Sequence, residues 1–140
     1  MKALCGVVVL AALLAGCGSS EPSAESVVRA WSHALNQDDN ETAGKLFAPG
    51  AEIVQGGTAI RLRTRADAVE WNAALPCSGR ILSIRSRGNT ATATFLLGDR
   101  RHSRCDGPGE RATAIFRVRR GKIVLWHQTD SAPAPPPPSV

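Results

Sequence analysis

Residues 112–129, with the sequence ATAIFRVRRGKIVLWHQT, decide the fold of this chain. Apolar and β-branched residues fill two runs, 112–119 and 122–129, which Gly121 separates. Two such runs around a glycine-containing pair predict a β-hairpin with a two-residue turn. The domain therefore ends in two long antiparallel strands, and the elements before them have to cover at least one face of this hairpin.

The two-residue turn also predicts which side chains share a face of the hairpin. Phe116 lies opposite Leu125, and His127 points to the same side, which we interpret as the core. The other face carries three apolar residues, Ile115, Val124 and Trp126. An apolar face needs a cover, which here is a second copy of the chain, the curved end of the sheet or the proline-rich tail. A homodimer is the hypothesis we carry forward.

The order of the remaining elements predicts the fold class. The alternation of a half-buried strand recurs over residues 80–97, and a small hairpin is predicted over residues 51–62. Helix starts lie near Ser23 and Asp38, before the small hairpin, and near Thr64, between that hairpin and the longer strands. The second helix carries Phe47 on its apolar face. The prediction is an α+β fold, with three N-terminal helices packed on a curved antiparallel sheet.

Several of these segments resemble the nuclear transport factor 2-like (SnoaL-like) superfamily. The resemblance rests on residues 27–34, on LFAPGA at 46–51, and on GKIVLW at 121–126 with Asp130 after it. It covers about residues 24–130 and implies a cone, in which the sheet wraps a long helix and leaves a pocket at its open end. This fold hosts isomerases, cyclases, dehydratases and non-catalytic domains, so the resemblance does not define a function.

The N-terminus predicts export and lipidation. Lys2, a short apolar run and small residues describe a secretory signal over residues 1–16 and not a membrane span. LAGC at 14–17 resembles a bacterial lipobox, which implies cleavage before Cys17 and an acyl anchor, palmitate included, on that residue. Such an anchor holds a protein at the cell membrane, outside the cytoplasm. An ordinary signal peptide with an incidental cysteine is the alternative.

Length and charge bound the other partners. The 140 residues suffice for one domain, and 17 Lys and Arg against 12 Asp and Glu give a net charge of +5. We expect no nucleic-acid partner, because an exported chain does not meet nucleic acid. The predicted divisions are a signal peptide (1–16), a tether (17–23), the domain (24–130) and a disordered proline-rich tail (131–140).

Two cysteines remain in the mature domain, Cys77 and Cys105. In an oxidising compartment they predict one disulfide bond. The alternative is a metal or redox site that includes His102, but it has too few ligands at zinc spacing and no C-x-x-C motif. We therefore predict a disulfide and expect neither a metal nor a cofactor.

The candidate site is the pocket that the resemblance implies. Its predicted lining is Trp31, Phe47, Trp71 and His127, with core packing as the alternative for the tryptophans. Ketosteroid isomerase-like relatives use a tyrosine-centred oxyanion hole, and this chain has no tyrosine. The predicted function is a non-catalytic module that binds a small apolar ligand or a protein. The alternative is a small-molecule lyase or isomerase that uses His127 with a carboxylate such as Asp99.

Overall fold

The computed structural model describes residue 18 and residues 20–129. The predicted signal peptide, Cys17, Ser19, Asp130 and the predicted tail lie outside the described residues. No helix within the described part of the chain is both long and apolar enough to cross a membrane.

The helices are α1 (Ala24–Asn36), α2 (Asn40–Lys45) and α3 (Arg65–Ala74). Their starts follow from capping side chains, which accept the first free N–H groups of a helix. Ser23 caps α1 by accepting from the Ser26 N–H, and Thr64 forms a capping box with Asp67 at α3. Both starts are as the sequence predicts.

The second helix is shorter than its sequence pattern predicts. Asp39, not Asp38, caps α2, and the helix ends at Lys45. Phe47, predicted on the apolar face of this helix, instead begins a strand and pairs with Ile123. Tertiary pairing therefore overrides a helical spacing that only a few residues support.

Six strands form one sheet in the order β2-β1-β6-β5-β4-β3. Their bounds are β1 (Phe47–Gln55), β2 (Thr58–Leu62), β3 (Ser78–Arg87), β4 (Thr90–Gly98), β5 (Arg111–Arg119) and β6 (Lys122–Thr129). Neighbours pair antiparallel except β1 and β6, which run parallel. The prediction of a wholly antiparallel sheet is wrong. Strands β3 to β6 form an antiparallel meander, and the short β1–β2 hairpin joins it because β1 pairs parallel to β6.

The core lies between α1 and the inner face of the sheet. Val28 of α1 is fully buried, and Trp31 packs against Phe95 and Phe116 at ring-centroid distances of 6.1 and 5.3 Å. Along β4 and β5 every second residue points inward, as the alternation of a half-buried strand requires. The α+β class is confirmed.

The last hairpin departs from the predicted register by one residue. Val124 is an extra residue on β6, so Phe116 lies opposite Trp126 and not opposite Leu125. Because successive side chains alternate between faces, one extra residue exchanges the faces of everything beyond it. Trp126 therefore points inward and is 5% exposed. His127 points outward, so the predicted core orientation of His127 is wrong.

The β3–β4 hairpin contains a similar irregularity. Ile84 lies opposite Ala93, as a two-residue turn predicts, but Phe95 lies opposite Ile81. Leu82 is the extra residue in β3 and is exposed. Both long hairpins have two-residue turns, and each contains a bulge further along its paired strands.

Candidate functional site

A cavity of about 280 Å³ opens between α1, the end of α3 and strands β3 to β6. Its apolar lining includes Trp31, Leu35, Phe95, Leu97, Ala114 and Trp126. Its polar lining includes Gln55, Asp106, Glu110 and Gln128. The aromatic side chains are buried and form the inner part, whereas the two acidic residues are exposed and mark the mouth.

Two tryptophans bound the inner part of the cavity in different hydrogen-bonding states. Trp31 Nε1 donates to Asn72 Oδ1 at 2.8 Å, and the fully buried Asn72 in turn donates to the Ala68 carbonyl. This chain of bonds fixes the indole of Trp31. Trp126 Nε1 is also buried but has no hydrogen-bond partner within the described residues. An unpaired buried donor lowers stability, because its bond to water is lost without replacement.

Two glutamines close one side of the cavity. Gln55 Nε2 donates to Gln128 Oε1 at 2.7 Å, which links the ends of β1 and β6. Gln128 points inward because it follows Trp126 at a spacing of two after the bulge. The pair supplies neutral polar groups next to an otherwise apolar wall.

The wall at the start of β3 is held by a disulfide. The predicted Cys77–Cys105 bond is confirmed, and Cys77 lines the cavity. Together with Asp106, these cysteines are the only described cluster of three residues with metal-ligand spacing. Both sulfurs are consumed by the disulfide, so no thiolate is left to bind a metal. Asp99 accepts from the Cys105 N–H at 2.9 Å and does not line the cavity.

Arg100 anchors the loop after β4, which also carries Cys105. The sequence did not indicate this role. The residue is 4% exposed, and Nε lies 2.6 Å from Asp38 Oδ1. Nη1 donates to the carbonyls of Asn72 and Leu75 at 2.6 and 2.8 Å, and Nη2 donates to Asn40 Oδ1. One guanidinium therefore joins the α1–α2 turn, the end of α3 and the loop after β4.

Known proteins resemble this chain in fold and not in sequence. No protein-family model matches the sequence, and no curated protein is similar to it in sequence. Solved structures do match. One, described as an NTF2-like protein of unknown function from Cytophaga hutchinsonii, superposes with a TM-score of 0.65 at 13% identity, over 79% of this chain and 92% of that chain.

Two further solved structures carry activity names. One from Sinorhizobium meliloti, called a polyketide cyclase, has a TM-score of 0.62 at 18% identity, over 74% of this chain and 93% of that chain. One from Kribbella flavida, called a ketosteroid isomerase, has a TM-score of 0.62 at 20% identity, over 83% of each chain. The chain has the nuclear transport factor 2-like fold. At these identities the likeness shows the fold alone.

Not all the predicted pocket residues line the cavity of this nuclear transport factor 2-like domain. Trp31 lines it, but Phe47 and Trp71 pack on each other at 5.5 Å instead. Trp71 also contacts Trp126 at 5.0 Å. His127 lies opposite Ile115 on the outer face, away from the cavity, because the Val124 bulge reverses its direction. Neither His127 nor Asp99, the two catalytic candidates of the alternative function, lines the cavity.

The predicted interface residues of this nuclear transport factor 2-like domain also separate. Ile115 lies on the outer face and Trp126 lies in the core, so Trp126 is wrongly assigned. Val124 is the half-buried bulge residue of β6. Sequence reasoning also missed Glu110 and Gln128 at the cavity. The apolar run IVLW at 123–126 does not show that the strand contains a bulge. With a bulge in this run, the alternation of side chains places Gln128 inward.

Proposed function

We propose that this chain is a lipid-anchored envelope protein whose nuclear transport factor 2-like domain binds a small apolar ligand. The observation that carries the proposal is the cavity of about 280 Å³, with Trp31, Phe95 and Trp126 along its inner part. Ligand sites are commonly concave and apolar, with a few polar groups that orient the ligand. The Gln55–Gln128 pair supplies such groups here.

The chemistry of the lining favours binding over catalysis. Among the described residues, the lining contains no histidine, lysine or arginine, and its cysteine is in a disulfide. A general acid–base mechanism needs a titrating group within hydrogen-bond reach of the substrate. The carboxylates of the described lining, Asp106 and Glu110, are exposed at the mouth and not beside the buried aromatic side chains. His127 lies on the other face of the sheet, so the lyase or isomerase that depends on it is not proposed.

Binding is tested by titrating the chain with a neutral apolar fluorophore, N-phenylnaphthylamine. We expect saturable binding that changes the fluorescence of the protein's tryptophans, because two of the three line the cavity. Ala112→Leu fills part of the cavity and is expected to weaken binding. Ala59→Leu, on an exposed strand, is the matched control and leaves binding unchanged. Equal affinities in both variants would contradict a site in the cavity.

The anchoring part of the proposal is supported by the sequence around Cys17, LAGC followed by a short polar tether. The thiol of this cysteine is the expected acyl acceptor. The test is metabolic labelling with palmitate, followed by separation of membrane and soluble fractions. We expect label and membrane association in the natural chain and neither in Cys17→Ser. Label that persists in the Cys17→Ser variant would refute this anchor.

A protein-interaction role is the second candidate, and the outer face of the sheet favours it. His127 lies between Ile115 and Val54 there, and Leu125 is the next residue of β6 on the same face. All four are half-buried, with no element of the described chain over them. A second copy of the chain is the occupant we propose. Analytical ultracentrifugation is expected to show a dimer that Ile115→Glu dissociates. A monomer at high concentration would exclude this role.

A further inference from the structure

The charge around the cavity is opposite in sign to the charge of the chain. The sequence has a net charge of +5 and 17 Lys and Arg residues. None of the basic residues that the structure describes lines the cavity, whereas Asp106 and Glu110 both do. The charged side chains of the described lining are therefore both negative, although the chain as a whole is positive.

These two carboxylates are also free of partners, unlike most acidic groups of the domain. The ion pairs of the described chain use Glu25, Asp38, Glu41 and Glu52. Asp39, Asp67 and Asp99 accept backbone N–H groups.

Within residues 20–129, neither Asp106 nor Glu110 forms an ion pair or accepts from an N–H or O–H group. Asp106 Oδ1 lies 3.2 Å from Cys77 Sγ, but that sulfur is in the disulfide and has no proton to donate. Their negative charge is consequently available to a ligand.

The positions of these charges indicate where the apolar part and the charged part of a ligand would lie. Asp106 and Glu110 are exposed at the mouth, and Trp31, Phe95 and Trp126 are buried at the inner part. A ligand that fills the site puts an apolar body against the aromatic side chains and its outer end beside two carboxylates. A cationic end gains from this arrangement, and an anionic end is repelled.

We infer that the cavity selects a small amphiphilic cation, an apolar body that carries an ammonium group at the mouth. This inference rests on the proposed ligand-binding function and narrows its ligand class. The aromatic side chains add favourable dispersion contacts for the body of the ligand. The carboxylates decide between molecules of the same size that differ only in charge.

The test compares three probes with one carbon skeleton: phenylbutylamine, phenylbutanol and phenylbutyrate. Calorimetric titration uses the full chain with Cys17→Ser, which removes the acyl acceptor and the need for detergent. We expect the amine to bind roughly tenfold more tightly than the alcohol, and the acid to bind most weakly. Raising the ionic strength should reduce the preference for the amine, because salt screens exposed charges.

Variants assign the preference to the two carboxylates. In the Asp106→Asn, Glu110→Gln double variant, the amine and the alcohol are expected to bind about equally, with the alcohol affinity unchanged. The control is Glu21→Gln with Glu70→Gln, which removes the same charge from exposed positions outside the cavity. A control that lost the preference to the same extent would overturn the inference, because net charge would then be its cause.

The three probes also distinguish failure of this inference from failure of the proposed ligand-binding function. If the natural chain binds all three probes equally, the cationic ligand class is wrong and the ligand-binding function stands. If it binds none of the three, both are wrong. The alcohol is neutral, so its binding reports on the cavity alone.

Discussion

The inner face of the sheet has a filled part and a hollow part. In the filled part Phe47, Trp71 and Trp126 pack edge to face at ring distances of 5.0 to 5.5 Å, and Phe116 is fully buried. In the hollow part the strands present Ala112 and other small residues, and the cavity takes the space. Both parts lie on one continuous sheet, so the cavity is not produced by a break in the fold.

The two parts are also held together by different forces. Aromatic packing stabilises the filled part through burial and ring contacts. The walls of a cavity make fewer contacts, so they need other support. Here that support is the Cys77–Cys105 disulfide and the buried guanidinium of Arg100.

Replacing Arg100 should damage the hollow part most. Arg100→Met leaves Asp38 without its ion pair and removes the donor of the Asn72 and Leu75 carbonyls. We expect the free energy of unfolding to fall by about 3–5 kcal/mol, as when one partner of a buried ion pair is removed. Urea unfolding followed by tryptophan fluorescence measures it. Arg101→Met, at an exposed neighbouring position, should shift the midpoint little, and equal shifts would contradict the clamp.

Replacing alanine by leucine should lower the free energy of unfolding more in the filled part than in the hollow part. Ala91 is fully buried opposite Phe116, so Ala91→Leu should lower the free energy of unfolding by about 1–3 kcal/mol through overpacking. Ala112 lines the cavity, so Ala112→Leu has space to enter and should cost less than about 1 kcal/mol. Thermal or urea unfolding of both variants tests the contrast. A larger loss in Ala112→Leu would mean that the cavity is not available space.

Sequence patterns predicted the turns and most strand bounds of this fold because those depend on local residue types. They did not predict the bulges, because a bulge is decided between strands. Residues 123–126, IVLW, are apolar throughout, so the alternation does not say which of them points inward. Burying Trp126 against Phe116 resolves the ambiguity, and His127 is turned outward as a consequence.

The support of the cavity was hidden from the sequence for a similar reason. Arg100 and Arg101 are adjacent and identical in type, and only the fold brings the Asp38 carboxylate and the Asn72 carbonyl to the first of them. The disulfide could be predicted because the number of cysteines and the compartment suffice for it. A buried arginine has no such local signal, since the partners of its side chain come from two segments that are distant in sequence.

Two tryptophans test hydrogen bonding at the boundary between the filled and hollow parts. Trp31→Phe breaks a bond to Asn72 and leaves a buried oxygen unpaired, whereas Trp126→Phe removes an N–H that has no described partner. Both changes remove a similar volume. We expect Trp31→Phe to lower the free energy of unfolding by about 1–2 kcal/mol more than Trp126→Phe does. Equal losses in urea unfolding would mean that ring volume alone determines both effects.

Acid should weaken the helices beside the hollow part through their caps. The backbone N–H groups of Thr64 and Arg63 bond the Asp67 carboxylate and hold its pKa below the ordinary 3.8. The Thr42 hydrogen bonds lower the pKa of Asp39 in the same way. A lowered pKa in the folded state gives stability that is present above the unfolded value and is lost as pH falls through the folded one.

Asp67→Asn measures the share of this acid sensitivity that belongs to α3. The variant should be less stable than the natural chain near about pH 5, where Asp67 is charged, and the gap should narrow as the pH falls through the lowered pKa of the Asp67 carboxyl. Glu70→Gln, on the same helix but outside the cap, is the control for the loss of one negative charge. Because the capped carboxylate is exposed, solvent screens it and the gap should be the smallest effect of the set. A gap that widened in acid would show that the carboxylate destabilises the fold, contrary to the direction of its pKa.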